Sequence, residues 1–216
     1  MKPLLITDCD EVLLHMVRHF GAWLDEAHDI DLVLDGTEFE RAMRPRDPAA
    51  PPIDRRRMWA LVEGFFPQEM DRQTLVPHAR EALASIAAVA DIVVLTNLGD
   101  DCRDHRIAQL ARHGIAHRVE CNQGPKGPRV AEIVAEHGAS VAVFVDDLPA
   151  HHESVAAHAP DVLRLHMIAE PQLAPHVPAA AHAHARIDDW AAARDWILAR
   201  FADAAAGGLT ARAAGG

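Results

Sequence analysis

Three apolar segments of strand length, each followed directly by polar or acidic side chains, constrain the fold of this chain most strongly. The segments cover residues 4–7, 92–95 and 141–145, and helical patterns separate them. Continuous apolar strands that alternate with helices form a parallel sheet covered on both faces. The sequence therefore predicts an α/β fold with a Rossmann-like parallel sheet.

The side chains that follow these segments are candidates for one site, because the carboxyl ends of parallel strands share one edge of the sheet. They are Asp8, Asp10, Thr96, Asn97, Asp146 and Asp147. Asp8 and Asp10 are two positions apart and point the same way. Converging carboxylates repel each other unless a cation or a shared proton intervenes, and hard divalent ions such as Mg²⁺ take oxygen ligands. Thr96 and Lys126, which lies in a Gly/Pro-rich loop, could hold an anion beside that cation, as phosphoryl transfer requires.

Residues 14–76 carry helical patterns without a strand signal and are predicted to be an inserted α-helical segment, called the insertion below. The predicted organisation is a core domain of residues 1–13 and 77–203, the insertion at 14–76, and a low-complexity Ala/Gly tail at 204–216. Aromatic residues of the insertion could line a substrate pocket, although such stripes more often pack an internal core. They are Trp23, Phe39, Trp59, Phe65 and Phe66.

The composition of the 216-residue chain argues against several classes of function. A formal net charge of -11 disfavours a nucleic-acid-binding surface, which would need a basic face. The chain start lacks the pattern of a signal peptide, no apolar run reaches membrane-spanning length, and three scattered cysteines fit neither a disulfide framework nor a zinc site. We therefore expect a soluble, cytoplasmic protein. Its 15 histidines are dispersed, so a dedicated histidine metal site is not expected.

The polar strand ends also resemble the motifs of a known family. Four motifs occur in the order found in haloacid dehalogenase-like (HAD) superfamily hydrolases: Asp8-Cys9-Asp10-Glu11-Val12, Val94-Leu95-Thr96-Asn97, Lys126 within Gly124-Pro125-Lys126-Gly127-Pro128, and Val145-Asp146-Asp147. The insertion stands where this family places a C1-type helical cap. The gap between Thr96 and Lys126 is too short for the family's alternative cap position. The chain thus resembles a HAD hydrolase with a C1-type cap.

The resemblance implies catalytic and metal-binding roles for the acidic residues. Asp8 would be the nucleophile that forms an aspartyl-phosphate, and Asp10 would be the general acid and base. Mg²⁺ would be held by Asp8, the backbone carbonyl of Asp10 and Asp147, with Asp146 beside it or behind it. Lys126 would offset the carboxylate charge.

The resemblance also implies a substrate-binding set, and the chain departs from the family at two positions. Thr96, Asn97 and Lys126 would bind the phosphoryl group. Glu11 follows the second aspartate, where many members carry glycine, and could alter the turn or the cap hinge. His151 stands where members often have Asp or Asn, which puts support of the metal ligands in question.

The predicted function is Mg²⁺-dependent hydrolysis of a small phosphomonoester, with a small phosphorylated metabolite as partner. Asp10 favours this reaction because family dehalogenases, as the resemblance implies, lack an acid/base carboxylate there. Other HAD activities (dehalogenase, phosphonatase or phosphomutase) and a non-catalytic binding role remain alternatives. The apolar insertion could also support a homodimer. Cys9, between the two aspartates, faces away from them on a strand and is expected to be an inert buried thiol.

Overall fold

The chain forms eight strands and eight α-helices over the residues described by the computed structural model, 2–37 and 39–213. The side chains of residues 40 and 207–213 lie outside that description. In chain order the elements are β1 (Leu4–Thr7), α1 (Val17–His28), β2 (Ile30–Leu32), α2 (Phe39–Ala42), β3 (Met43–Pro45), α3 (Arg55–Glu69), α4 (Ala79–Ala87), β4 (Asp91–Thr96), α5 (Arg103–Arg112), β5 (Arg118–Cys121), α6 (Gly127–His137), β6 (Ala142–Asp146), α7 (Pro149–His158), β7 (Leu163–His166), β8 (Ala185–Arg186) and α8 (Trp190–Ala213). Short 3₁₀ turns cover Met70–Arg72, Asp100–Cys102 and Ala174–His176.

The main sheet places the predicted strand ends side by side. Over the described residues its six strands are parallel, in the order β5-β4-β1-β6-β7-β8. Within it, Leu4 of β1 lies opposite Asp91 of β4 and Ala142 of β6. The predicted α/β fold with a Rossmann-like sheet is confirmed, and the carboxyl ends of β1, β4 and β6 are neighbours at one edge.

Alternate residues of β1 face two hydrophobic cores, as the two-residue period of a strand requires. Leu5 belongs to the core in which α4 and α8 cover the sheet, together with Trp190. Leu4 and Ile6 belong to the core that α6 and α7 cover. Burial on both faces fixes β1 in position, so the residue after it, Asp8, projects from a rigid support.

The sequence predicted a purely helical insertion, but the structure also contains two strands there. β2 and β3 pair as a short antiparallel ribbon. Each strand has only three residues, too few for an apolar alternation to be recognisable. The ribbon is stabilised instead by packing of Ile30 and Met43 into a core shared with α1 and α3. The Arg46 guanidinium also lies 2.9 Å from the Asp31 carboxylate.

The last helix extends further than predicted. α8 continues through Ala213, into the segment predicted to be a low-complexity tail, because the alanine-rich sequence after Phe201 favours helix. Residues 214–216 of the predicted tail lie outside the described residues. Over the described part of the chain, none of the helices combines the length and apolar character needed to cross a bilayer.

Candidate active site

Three carboxylates converge at the carboxyl edge of the sheet. Asp8 directly follows β1, while Asp146 ends the neighbouring β6 and Asp147 follows it. The backbone N–H of Asp8 donates to the Val145 carbonyl over 2.8 Å, which keeps the two strand ends side by side. One oxygen from each carboxylate lies within 4.8 Å of the others. The structure thus brings together three side chains predicted to surround a metal ion.

Lys126 bridges two of these carboxylates. Its Nζ lies 2.7 Å from Asp8 Oδ1 and 2.7 Å from Asp146 Oδ2, and the side chain is 1% exposed. Burial acts to lower the pKa of Lys126, but Asp146 and Asp8 together raise it above its usual value. The ammonium therefore stays charged beside the predicted nucleophile.

The carboxylate cluster carries more negative charge than one lysine offsets. Burial raises the pKa of Asp8 to about 7, although Lys126 acts in the opposite direction. Burial and the neighbouring Asp146 and Asp8 also raise the pKa of Asp147 well above its usual range. A divalent cation among these oxygens would favour the ionised carboxylates. Because carboxylate oxygens are the ligands that Mg²⁺ prefers, the donor set fits this ion.

The Asp10 carboxylate is held by side chains from three other parts of the chain. Arg106 Nη2 lies 2.9 Å from Oδ1 and 3.1 Å from Oδ2, and Gln73 Nε2 donates to Oδ1 over 2.7 Å. The Thr96 hydroxyl donates to Oδ2 over 3.3 Å. Arg106 is fully buried, whereas the Asp10 side chain is 20% exposed. Asp10 is therefore fixed in orientation and still accessible.

Sequence reasoning missed Arg106 and Gln73. Arg106 lies on α5 between Cys102 and Leu110, at four-residue spacing, and all three side chains are buried. A charged residue at a core-facing helical position is the signal that could have identified it. Gln73 follows a 3₁₀ turn and belongs to no comparable pattern.

The predicted phosphoryl-binding residues after β4 occupy two different environments. Thr96 is fully buried and contacts Asp10. Asn97 is exposed, donates from Nδ2 to the Gly124 carbonyl over 3.0 Å, and lies 3.4 Å from His151 Nε2. These contacts connect the loop after β4 to the segments before α6 and within α7. Contact of Thr96 or Asn97 with a phosphoryl group stays a prediction.

Glu11 connects the loop after β1 to the insertion. It has a φ of 58°, in the left-handed region, and its side chain is buried. Its Oε1 accepts the backbone N–H groups of Met16 and Val17, each over 2.6 Å, at the start of α1. Burial raises the pKa of Glu11 to about 7, while the two N–H groups of Val17 and Met16 act to lower it. The departure from glycine thus supplies an N-terminal cap for the first helix of the insertion.

Glu11→Ala is expected to lower the free energy of unfolding by about 1–2 kcal/mol, because the N–H groups at the start of α1 lose their acceptor. Glu11→Gly should lose less, by about 1 kcal/mol, because glycine adopts positive φ without steric cost. Urea denaturation of the two variants measures both effects. Unchanged stability in Glu11→Ala would contradict a capping role.

His152 contacts the carboxyl end of β6, which carries Asp146 and Asp147. Its ring is fully buried against Phe144, with ring centroids 5.6 Å apart. Nε2–H donates to the Asp146 carbonyl over 3.0 Å. Burial lowers the pKa of His152 to about 4. The folded state therefore holds this ring neutral at pH values where an unfolded chain would protonate it.

This difference predicts that His152 contributes a loss of stability in mild acid. Above the unfolded pKa of about 6.5 both states are neutral and His152 contributes no pH dependence. As the pH falls from about 6.5 towards 4, only the unfolded state gains the proton, which lowers the free energy of unfolding by about 1 kcal/mol per pH unit. Denaturation in EDTA measures this contribution as the difference in slope between the original protein and His152→Gln, because Asp8 and Glu11, whose pKa values are raised to about 7, take up protons in the folded state over the same range and act in the opposite direction. Equal slopes in the two proteins would contradict this assignment.

A cavity of about 1030 Å³ lies above the carboxylate cluster. Asp8, Asp10, Lys126 and Asp147 line one part of it, called the floor below, and side chains of the insertion line another part, called the wall. The five aromatic residues considered above as possible pocket lining divide between the core of the insertion and this wall. Trp23 and Phe65 are buried in the core of the insertion, and three aromatic residues line the cavity, namely Phe39, Trp59 and Phe66.

Comparison with solved structures identifies the fold, whereas no protein-family model and no curated protein sequence matches the chain. A HAD-like family hydrolase from Xanthomonas campestris is 18% identical, with a TM-score of 0.58 over 94% of this chain and 98% of that one. The HAD-hydrolase YfnB from Bacillus subtilis, crystallised with magnesium, is 12% identical, with a TM-score of 0.62 over 91% and 98%. A predicted phosphoglycolate phosphatase from Haemophilus somnus is 14% identical, with a TM-score of 0.57 over 87% and 94%. The chain therefore has the fold of HAD-like hydrolases, as its four motifs predicted.

Proposed function

We propose that this chain is a Mg²⁺-dependent phosphatase that hydrolyses a small phosphomonoester through a covalent aspartyl-phosphate at Asp8. One observation carries the proposal: a three-carboxylate cluster contacts a buried lysine at the floor of a cavity, with Asp10 beside it. These groups supply a nucleophile, an acid, cation ligands and a fixed positive charge. The HAD-like fold supports the same assignment.

In the first half-reaction a carboxylate oxygen of Asp8 attacks phosphorus, and the bond between phosphorus and the ester oxygen breaks. Protonated Asp10 donates its proton to the leaving alkoxide, which departs as an alcohol. The contact with Lys126 restricts rotation of the nucleophile. Arg106 and Gln73 restrict rotation of Asp10 in the same way.

In the second half-reaction ionised Asp10 takes a proton from water, whose oxygen attacks phosphorus. The bond to Asp8 then breaks, which releases inorganic phosphate and restores the carboxylate. The Arg106 guanidinium, whose Nη2 lies 2.9 Å from Asp10 Oδ1, holds the carboxylate in place for this step. Mg²⁺, held by Asp8, Asp147 and the Asp10 carbonyl with Asp146 beside them, would supply positive charge at the phosphoryl oxygens.

The insertion is proposed to act as a C1-type cap over this floor. It provides one wall of the cavity and has a hydrophobic core of its own. Glu11 links its first helix to the loop that carries Asp8 and Asp10. A cap that closes on substrate excludes water and selects the leaving group.

The residues present favour ester hydrolysis over other reactions of this fold. Asp10 provides the acid that an alkoxide leaving group needs. A phosphonate hydrolase that forms a Schiff base would need a lysine in the cap, and residues 14–76 contain none.

Hydrolysis of ethyl phosphate and p-nitrophenyl phosphate, measured with Mg²⁺ and with EDTA, tests the proposal. We expect turnover that requires Mg²⁺, and a half-saturating Mg²⁺ concentration raised about 10–100-fold in Asp147→Asn. Asp101→Asn is the matched control, because Asp101 is an exposed carboxylate that also lines the cavity. Turnover that persists in EDTA, or absence of turnover by folded protein with Mg²⁺, would contradict the proposal.

A further inference from the structure

Helix α3 carries two apolar stripes, and the first is buried in the core of the insertion. Met58, Leu61 and Phe65 are buried there, at 5%, 3% and 0% exposure. The second stripe, Trp59, Val62 and Phe66, follows the spacing of one helical face and lines the cavity. Val62 and Phe66 are partly buried against the core of the insertion, so the exposed surface of this stripe belongs mainly to Trp59.

The most exposed part of the stripe is Trp59, whose relative exposure is 52%. Among the described residues, four large apolar side chains are classed as exposed, and two of them, Trp59 and Leu148, line this cavity. Leu148 directly follows Asp147 of the floor, whereas Trp59 belongs to the insertion. Exposed apolar surface from two separate parts of the chain in one concave site is typical of a binding pocket for an apolar group.

The cavity is lined by polar as well as apolar groups. The charged groups of the floor, Asp8, Lys126 and Asp147, are suited to a phosphoryl group and its cation. Asn97 and Asn122 stand on the loops after β4 and β5, at the same edge of the sheet. On α3 the stripe of Trp59, Val62 and Phe66 presents aromatic and aliphatic carbon, while Arg55 and Glu63 of the same helix also line the cavity. A hydroxyl-rich leaving group placed against the stripe itself would lose hydrogen bonds to water without replacing them.

The cavity is also large for a short leaving group. Its volume of about 1030 Å³ is at the upper end of the roughly 300–1,000 Å³ that ligand pockets usually span. A phosphoryl group with a two-carbon alcohol would leave the surface of Trp59 exposed to water. A planar ring beyond that alcohol would reach apolar surface and could stack on an aromatic side chain.

From these observations we propose that the substrate is a phosphomonoester whose alcohol carries an apolar aromatic group, bound between Trp59, Phe66 and Leu148. This proposal rests on the proposed phosphatase function and names its substrate class. The phosphoryl end of the ester contacts the polar floor, and the aromatic end covers the second stripe of α3.

The test compares phenethyl phosphate with ethyl phosphate, two esters of primary alcohols that differ in the phenyl group. We expect kcat/KM to be at least about tenfold higher for phenethyl phosphate, because burial of the ring is favourable only where the wall is apolar. Trp59→Ala should reduce this preference by about tenfold, and Trp59→Phe should retain most of it. Val89→Ala is the control, because Val89 is 47% exposed and lies outside the residues that line the cavity.

The possible outcomes separate the substrate class from the reaction. Hydrolysis of ethyl phosphate or phosphoglycolate with a kcat/KM equal to or above that of phenethyl phosphate would overturn the aromatic class and leave the phosphatase function intact. Absence of turnover with every ester would overturn the function. The cavity would then be judged by calorimetric binding of phenethylphosphonate and ethylphosphonate in the presence of Mg²⁺. Equal affinities would overturn the aromatic pocket, and tighter binding of the phenethyl compound would support it.

Discussion

Asp8→Asn is expected to lower kcat by a factor on the order of 10⁴ or more, because an amide oxygen cannot replace the carboxylate as nucleophile. Phosphate release with Mg²⁺ and a saturating ester measures the effect. The variant should remain folded, since asparagine has the same shape and can still accept a hydrogen bond from Lys126, which lies 2.7 Å from Asp8 Oδ1. Circular dichroism and urea denaturation check the fold.

Cys9→Ser is the matched control for this experiment. Cys9 is the next residue in the chain and is fully buried, and its Sγ accepts a hydrogen bond from Arg106 Nη1 over 3.0 Å. Burial raises the pKa of the thiol well above its usual value, so the reactive thiolate is suppressed. The serine variant should keep kcat within about tenfold of the original protein. An active Asp8→Asn, or a Cys9→Ser that loses as much activity, would contradict the assigned nucleophile.

Arg106→Met is expected to lower the free energy of unfolding by about 3–5 kcal/mol, because it removes the buried partner of the Asp10 carboxylate. Activity should also fall, by about 10²-fold in kcat, because Asp10 loses its fixed orientation. Urea denaturation and steady-state kinetics measure the two effects. Arg106→Lys should recover part of both, since it restores the charge without the two-pronged contact.

Two further variants make this prediction specific. Arg103→Met changes an exposed arginine on the same helix, which donates to the Val119 carbonyl over 3.3 Å, and should change stability by less than about 1 kcal/mol. The double variant Asp10→Asn with Arg106→Met should lose less stability than the two single losses added together, since neither charge is then left unpaired. Additive losses would contradict direct pairing of Asp10 with Arg106.

The sequence was sufficient to predict the sheet and the meeting of its acidic ends, because both depend on local pattern. A fully apolar strand is buried on both faces, and the parallel order of β1, β4 and β6 then places Asp8 beside Asp146. The motifs added Lys126, whose loop lies between two of these strands. Apart from Lys126, these features can be predicted from the alternation of strands and helices alone.

The contacts that fix the site could not be predicted in the same way, because they join distant positions through side chains. Arg106 reaches Asp10 across 96 positions, and Gln73 reaches it across 63. The β2–β3 ribbon depends on packing within the insertion rather than on an apolar period. The split of the aromatic residues follows from tertiary packing too: Phe65 and Phe66 are adjacent in sequence, yet one is fully buried and the other lines the cavity.

The most direct test of the account is to look for a phosphoryl group on Asp8 during turnover. The protein is mixed with Mg²⁺ and phenethyl phosphate or p-nitrophenyl phosphate, quenched in acid within the first turnover, digested and analysed by peptide mass spectrometry. The account predicts one phosphoryl group on the peptide that contains Asp8, lost when the quench is delayed until substrate is consumed, and absent from Asp8→Asn. Rapid turnover with no phosphorylated peptide at any quench time, or phosphorylation at another residue, would contradict it.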